Sequence, residues 1–137
     1  MPTALRLVSL CFAFLLTASE PAAQETAPLH YSEVDFRAEP ADGFEKLEGR
    51  TRYPELARRA GIQGMVQTEF FVDERGFVAD PVCVNDPGGQ TCEEALRALR
   101  DTYFRLAEVE GKPVAAQECY EFHFDHAAQA VSVMPCP

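Results

Sequence analysis

The chain has 137 residues, of which 22 are acidic and 12 basic, for a net charge of −10. A surface of that sign repels nucleic acid and anionic lipid. There is no Walker loop, no GxGxxG and no basic patch interleaved with aromatics, and the length bounds the chain to one domain with extensions.

The first 23 residues have the composition of a secretory signal. Arg6 supplies the one positive charge, residues 7–16 (LVSLCFAFLL) are apolar, and Thr17, Ala18, Ser19, Ala22 and Ala23 are small. Cys11 follows Leu10, where a lipidation signal wants a small residue, and is therefore core of the signal. A membrane anchor needs about 20 consecutive apolar residues; if the segment stays uncleaved, it is the only tie to the membrane. Removal of residues 1–23 deletes Arg6 and Glu20, which leaves 11 basic and 21 acidic groups and the same −10. About 110 residues remain, enough for a modest core that gains from staples. Cys83, Cys92, Cys119 and Cys136 are an even set in an exported chain and predict two disulfides. The absence of CxxC argues against a redox role.

Residues 24–50 read as an acidic linker, with Pro28, Pro40 and Gly43 and a brief alternation at Val34 and Phe36 that allows one short edge strand. Pro54 suits a first helical position, Leu56, Ala57 and Ala60 give an apolar side, Arg58 and Arg59 a wet one, and Gly61 a left-handed stop. A helix over residues 54–60 follows. After Gly64, Val66, Thr68, Phe70 and Val72 alternate with Gln67 and Glu69, the period of a strand with one buried face. Asp73-Glu74-Arg75-Gly76 has hairpin composition, and residues 77–84 continue as a strand in which Pro81 demands an edge or a bulge. Residues 85–90 (NDPGGQ) are loop, and Thr91 with Glu94 matches a capping box. Cys92, Ala95 or Leu96, Leu99 and Tyr103 then predict a helix over residues 92–103. Gly111-Lys112-Pro113 turns the chain into a last strand over residues 114–124, with Ala116, Tyr120, Phe122 and Phe124 on one side and Gln117, Glu121 and His123 on the other. In the tail, residues 125–137, only Val131 and Val133 hint at order.

The fold class predicted is α+β: a three-stranded antiparallel sheet with two helices packed on one face, in the order α-β-β-α-β. Of the three ways to pair four cysteines, Cys83 with Cys92 is favoured, because both can face the gap between sheet and helix; Cys119 with Cys136 then pins the tail along the last strand and caps that edge. Such loops contribute on the order of 2.5 to 3 kcal/mol each in the chain-entropy model. Catalytic chemistry finds no constellation. Cys119, His123, His126 and Cys136 suggest a metal set, but four residues along a strand span about 13 Å, too far to share a zinc with bonds near 2.0 to 2.3 Å. Ser32 and Ser132 fall in linker and tail, away from the histidines, and Glu93 with Glu94 or Glu108 with Glu110 read as solvated surface. No catalytic residue, metal or cofactor is expected.

Tyr53-Pro54, Ala57, Gly61-Ile62, Gly64, Phe70, Val72, Asp73, Gly76 and Val78, followed by Ala95, Leu99, Phe104-Arg105 and Gly111-Lys112-Pro113-Val114, resemble the C-terminal domain of TonB-type energy transducers over about residues 52–124. The resemblance implies a non-catalytic periplasmic domain over residues 51–124, linked to transmembrane transport. In that family the last strand and the segment around the YP pair receive an extended peptide of an outer-membrane receptor as an added strand. By position, the partner contacts implied are Arg52, Tyr53, Pro54, Gln117, Cys119 and Glu121, with Arg50, Thr51 and Arg52 standing where the family has a glutamine-containing contact. The partners implied are an outer-membrane receptor or other envelope protein, or a second copy paired through the same edge. Family transducers cross the periplasm on a long Pro-rich spacer, whereas the 27 residues from 24 to 50 stretch to at most about 90 to 95 Å and average nearer 30 Å as a coil. A docking module is therefore expected more than a transmitter of the proton-motive force. The alternative is a disulfide-stabilised structural or assembly component of the envelope with no transport role.

Overall fold

The computed structural model describes residues 27–137; the leader expected over residues 1–23, with Cys11, lies outside them. The stretch expected as linker is built into the domain. Strand β1 is Leu29–His30, a 3-10 turn spans Tyr31–Glu33, β2 is Glu39–Pro40 and α1 is Phe44–Arg50. What organises it is burial: Ala38 and Leu47 are fully inaccessible and the Phe44 ring lies 5.3 Å from that of Tyr120. Two apolar anchors in seven residues are too few to show helical periodicity, so α1 left no pattern in the sequence.

Helix α2 is Glu55–Ala60, one residue shorter than expected, because Pro54 is extended (φ −62°, ψ 139°) and stands before the first turn, not in it. Gly61 closes the helix in the left-handed region, as expected. Strands β3 (Gly64–Val72) and β4 (Val78–Cys83) form the predicted hairpin. Asp73 holds its turn by accepting the N–H groups of Arg75 and Phe77 at 2.9 and 3.0 Å. Pro81 meets both of its conditions. Strand β4 is a sheet edge, and the register slips from Glu69↔Val82 to Phe71↔Ala79 around a left-handed Asp80.

Helix α3 is Thr91–Arg100 and has no capping box. Gln90 is its N-cap; the Thr91 hydroxyl turns back to the Gly88 carbonyl (2.8 Å) and the Asp86 carboxylate, and Glu94 is drawn to Arg52 and Arg97 instead. The helix stops at Arg100 because the Thr102 hydroxyl donates to the Ala98 carbonyl and Phe104 must reach the core. Tyr103, expected on the inner face, is consequently exposed and stacks edge-on with Phe77. Strand β5 (Phe104–Arg105) pairs with β2, and β6 (Ala107–Val109) with β7 (Lys112–Val114).

The last two strands are β8 (Ala116–Asp125) and β9 (Ala130–Pro135). The main sheet therefore has five strands, not three, in the order β1-β8-β3-β4 with β9 also on β8, and it is mixed, since β1 runs parallel to β8. There are three α-helices among the described residues, not two. Helix α3 packs on β3 and β4, and α1 lies beside β9 and α3. On the helix side of the sheet, Val66, Thr68, Phe70 and Val72 of β3 meet Tyr120, Phe122 and Phe124 of β8, Val133 of β9 and Ala95, Ala98 and Leu99 of α3, all buried. The rings of Phe70, Phe104 and Tyr120 are mutually 5.2 to 5.9 Å apart, in contact geometry for aromatic packing. Both disulfides join as favoured, Cys83 to Cys92 between β4 and α3, and Cys119 to Cys136 between β8 and the end of the tail.

Candidate functional site

Among the expected contacts, Gln117, Cys119 and Glu121 sit on β8, and the structure corrects the edge they were assigned to. Strand β8 is paired along both flanks. Strand β3 lies on one side over the whole of Gly64↔Phe124 to Val72↔Ala116. On the other side β1 faces Ala116 and Gln117, and β9 faces β8 from Tyr120↔Pro135 to Asp125↔Ala130. The side chains of Gln117 and Glu121 are half-buried on the helix-free face, while Cys119 is buried and bonded to Cys136, so it offers a partner nothing. The tail could take this flank because Val131 and Val133 place apolar side chains on the inner face at strand spacing.

The new outer strand is itself shielded. The Val133 N–H points away from β8 and donates to Glu48 of α1 at 2.9 Å, and Pro135 has no N–H to offer. Covering an edge with a helix and a proline is how sheets avoid unwanted pairing.

Beneath this flank lies a charged pair absent from the sequence reading. Glu118 is fully buried on the inner face of β8, in the row Ala116, Glu118, Tyr120, Phe122, Phe124. Its Oε2 accepts from Arg37 Nε and Nη2 at 3.0 and 2.9 Å, and its Oε1 from the Ala38 N–H at 2.9 Å. Arg37 also donates to the carbonyls of Cys136 (2.6 Å) and Cys119 (3.0 Å) and lies 4.2 Å over the Tyr31 ring. Burial pushes the Glu118 carboxyl up, against the opposing pull of Arg37 and the neighbouring N–H groups. One guanidinium thus ties the segment before α1 to β8 and to the last residues of the tail. A carboxylate in an apolar i, i+2 row is a visible signal of a buried partner; that partner lies 81 positions away, where no local pattern points.

The YP segment is clamped to α3. The Arg52 N–H donates to Glu94 Oε1 at 2.7 Å, Arg97 holds the same carboxylate through Nε at 3.0 Å, and Arg97 Nη2 reaches the Arg50 carbonyl at 2.6 Å. Burial alone would raise the Glu94 carboxyl, but the hydrogen bonds from Arg97 and Arg52 outweigh it and hold it below its ordinary value. The Tyr53 hydroxyl donates to the Ile62 carbonyl across α2, and its ring packs edge-on against Phe124 at 5.6 Å. Burial, aided by the charge of Asp125, pushes this hydroxyl above its ordinary value. Tyr53 therefore acts as a staple for the helix it precedes. Arg52, Tyr53 and Pro54 line an open groove of about 520 Å³ with Arg58, Gln90 and Glu93. Through Tyr53 and Phe124 this groove adjoins the inner face at the far end of β8, whereas Gln117, Cys119 and Glu121 lie three to seven residues back along the strand on its other face, so the two halves of the expected contact set stay apart.

The side chains weighed as metal ligands are otherwise engaged. Cys119 and Cys136 are joined to each other, His123 is paired with Glu121 at 3.1 Å, and His126 contacts the Arg58 carbonyl. Among the described residues no group of three or more His, Cys, Asp or Glu is placed to hold a metal ion, no buried side-chain polar atom lacks a partner, and no helix is long and apolar enough to cross a membrane.

The family model described as Gram-negative bacterial TonB protein C-terminal matches residues 49–126, more than half of the chain. No curated protein matches it.

Proposed function

Since the chain belongs to the family of Gram-negative bacterial TonB protein C-termini, we propose that it is a periplasmic interaction module that receives an extended segment of an outer-membrane receptor or other envelope protein by strand addition along β8. The observation that carries this is β9. Six residues of the tail already pair antiparallel with β8, so this flank suits an extended chain with apolar side chains at alternate positions. Arg52, Tyr53, Pro54, Gln117 and Glu121 are the side chains proposed to flank the incoming segment, and the groove beside Tyr53 lies at the end of β8 where a segment running as β9 does would enter.

A second reading has its own support. Two disulfides and the closed flanks of β8 suit a structural component of the envelope that uses the fold as a scaffold. The readings separate by titrating isotope-labelled protein with synthetic peptides copied from the periplasm-facing N-terminal segments of outer-membrane receptors, with and without residues 126–137. Strand addition predicts shifts confined to the amides of β8 and the YP segment, larger in the shortened chain. If no peptide moves the β8 amides in either form, the scaffold reading stands.

A further inference from the structure

Everything that closes the outer flank of β8 comes from outside the family match. The match covers residues 49–126, whereas β1, Arg37, most of α1 with Glu48, and β9 lie before or after it. These pieces converge on one flank from opposite ends of the described chain. Strand β1 faces the first two residues of β8 and β9 faces the last six. Arg37 grips the carbonyls of Cys119 and Cys136, the disulfide joins the same two residues, and Glu48 holds the back of β9.

We infer that β9 is a resident plug on the receiving edge, latched by Cys119–Cys136, Arg37 and Glu48, so that the module is self-inhibited until the plug is displaced. This rests on the strand-addition reading and adds its regulation. The plug also describes what can replace it: an extended segment with β-branched or other apolar residues two apart, to fill the inner-face positions of Val131 and Val133, and a small or polar residue between them, as at Ser132. Because the Val133 N–H faces Glu48, the N–H groups of Ser132 and Met134 face β8 and report whether the plug is seated.

The test compares three oxidised proteins: wild type, Cys119→Ser/Cys136→Ser, and that pair with Ser132→Pro, which removes a plug N–H from the ladder. The probe is a synthetic peptide of residues 129–137 carrying Cys136→Ser. Without the disulfide, which closes a separation of 17 residues, exchange at Ser132 and Met134 should rise about 100-fold while β3 amides keep their protection. The triple variant should bind the peptide with shifts along β8, and the wild type should not. The inference is overturned if wild type binds the peptide as well as the triple variant, if the triple variant does not bind it, or if loosening β9 unfolds β3 and α3 with it. Binding of the tail peptide with no response to any receptor peptide would keep the plug and remove the proposed partner. Receptor-peptide binding to wild type with Ser132 and Met134 still protected would do the reverse.

Discussion

Replacing Arg37 with alanine removes the partner of a carboxylate that has no access to water. Glu118 would keep the Ala38 N–H on Oε1 but lose both guanidinium bonds to Oε2, and the Cys119 and Cys136 carbonyls would each lose a donor. Breaking a buried pair by deleting one member costs about 3 to 5 kcal/mol. The Arg37 side chain retains 25% exposure, so water can reach part of the vacated space, and Glu118 can take up a proton; the lower end, about 3 kcal/mol at neutral pH, is expected. With a urea dependence of roughly 1.5 kcal/mol/M the midpoint should fall by about 2 M. The sign with pH follows from burial. Glu118 is raised in the folded state, so its contribution to stability declines as pH rises from the ordinary carboxylate value through the folded one, and loss of Arg37 deepens that decline. Urea unfolding of Arg37→Ala at several pH values, alone and in a Glu118→Gln background, measures this. The cost should shrink in acid and fall to about 1 to 2 kcal/mol in the Glu118→Gln background, where no charge is stranded. A loss below about 1 kcal/mol at neutral pH, or an equal loss in both backgrounds, would refute the assignment.

Glu94→Gln should loosen the YP segment by about 1 to 2 kcal/mol at neutral pH, since the carboxylate serves Arg52 and Arg97 together. Its folded value is depressed, so this stability is present above the ordinary carboxylate pKa and lost as pH falls through the folded one; the gap between wild type and variant should close over that acid range. Gly76→Ala should cost about 2 to 4 kcal/mol by thermal or urea unfolding, because φ is +87° and a Cβ there would lie 2.5 Å from the Phe104 carbonyl oxygen and 2.7 Å from the Tyr103 ring. Gly111→Ala, with φ +75° but open space around it, is the control and should cost only about 1 kcal/mol.

Local chemistry was legible wherever it was dense. The alternation of β3, the Asp73 to Gly76 turn and the Gly61 stop each sit within a dozen residues, and each took its expected form, while the apolar stripe of α3 held through Ala95 and Leu99 but not Tyr103. Helix ends were less so. Thr91 and Glu94 have the spacing of a capping box, yet Asp86 with Gly88 and Arg97 with Arg52 compete for those side chains and win. The groove around Tyr53 was half legible: its residues were named, while the Glu94–Arg97 clamp behind it comes from a helix whose Glu94 lies 42 positions beyond Arg52.

The amino-acid order, with its periods of two and three and a half and its glycines, dictates the hairpin and the helix over it, because those depend on neighbours along the chain, and its even cysteine count favours the pairing that the structure shows. It places the tail beside β8 through the favoured Cys119–Cys136 pair, but it is silent on whether both flanks of β8 close. That outcome rests on contacts between residues some 80 to 100 apart, Arg37 with Glu118 and Cys136, and Glu48 with Val133, whose individual segments are too short or too polar to announce themselves. Only when the core brings both ends of the domain to one side of β8 do a two-residue strand, a seven-residue helix and a sparse apolar tail become a closed edge.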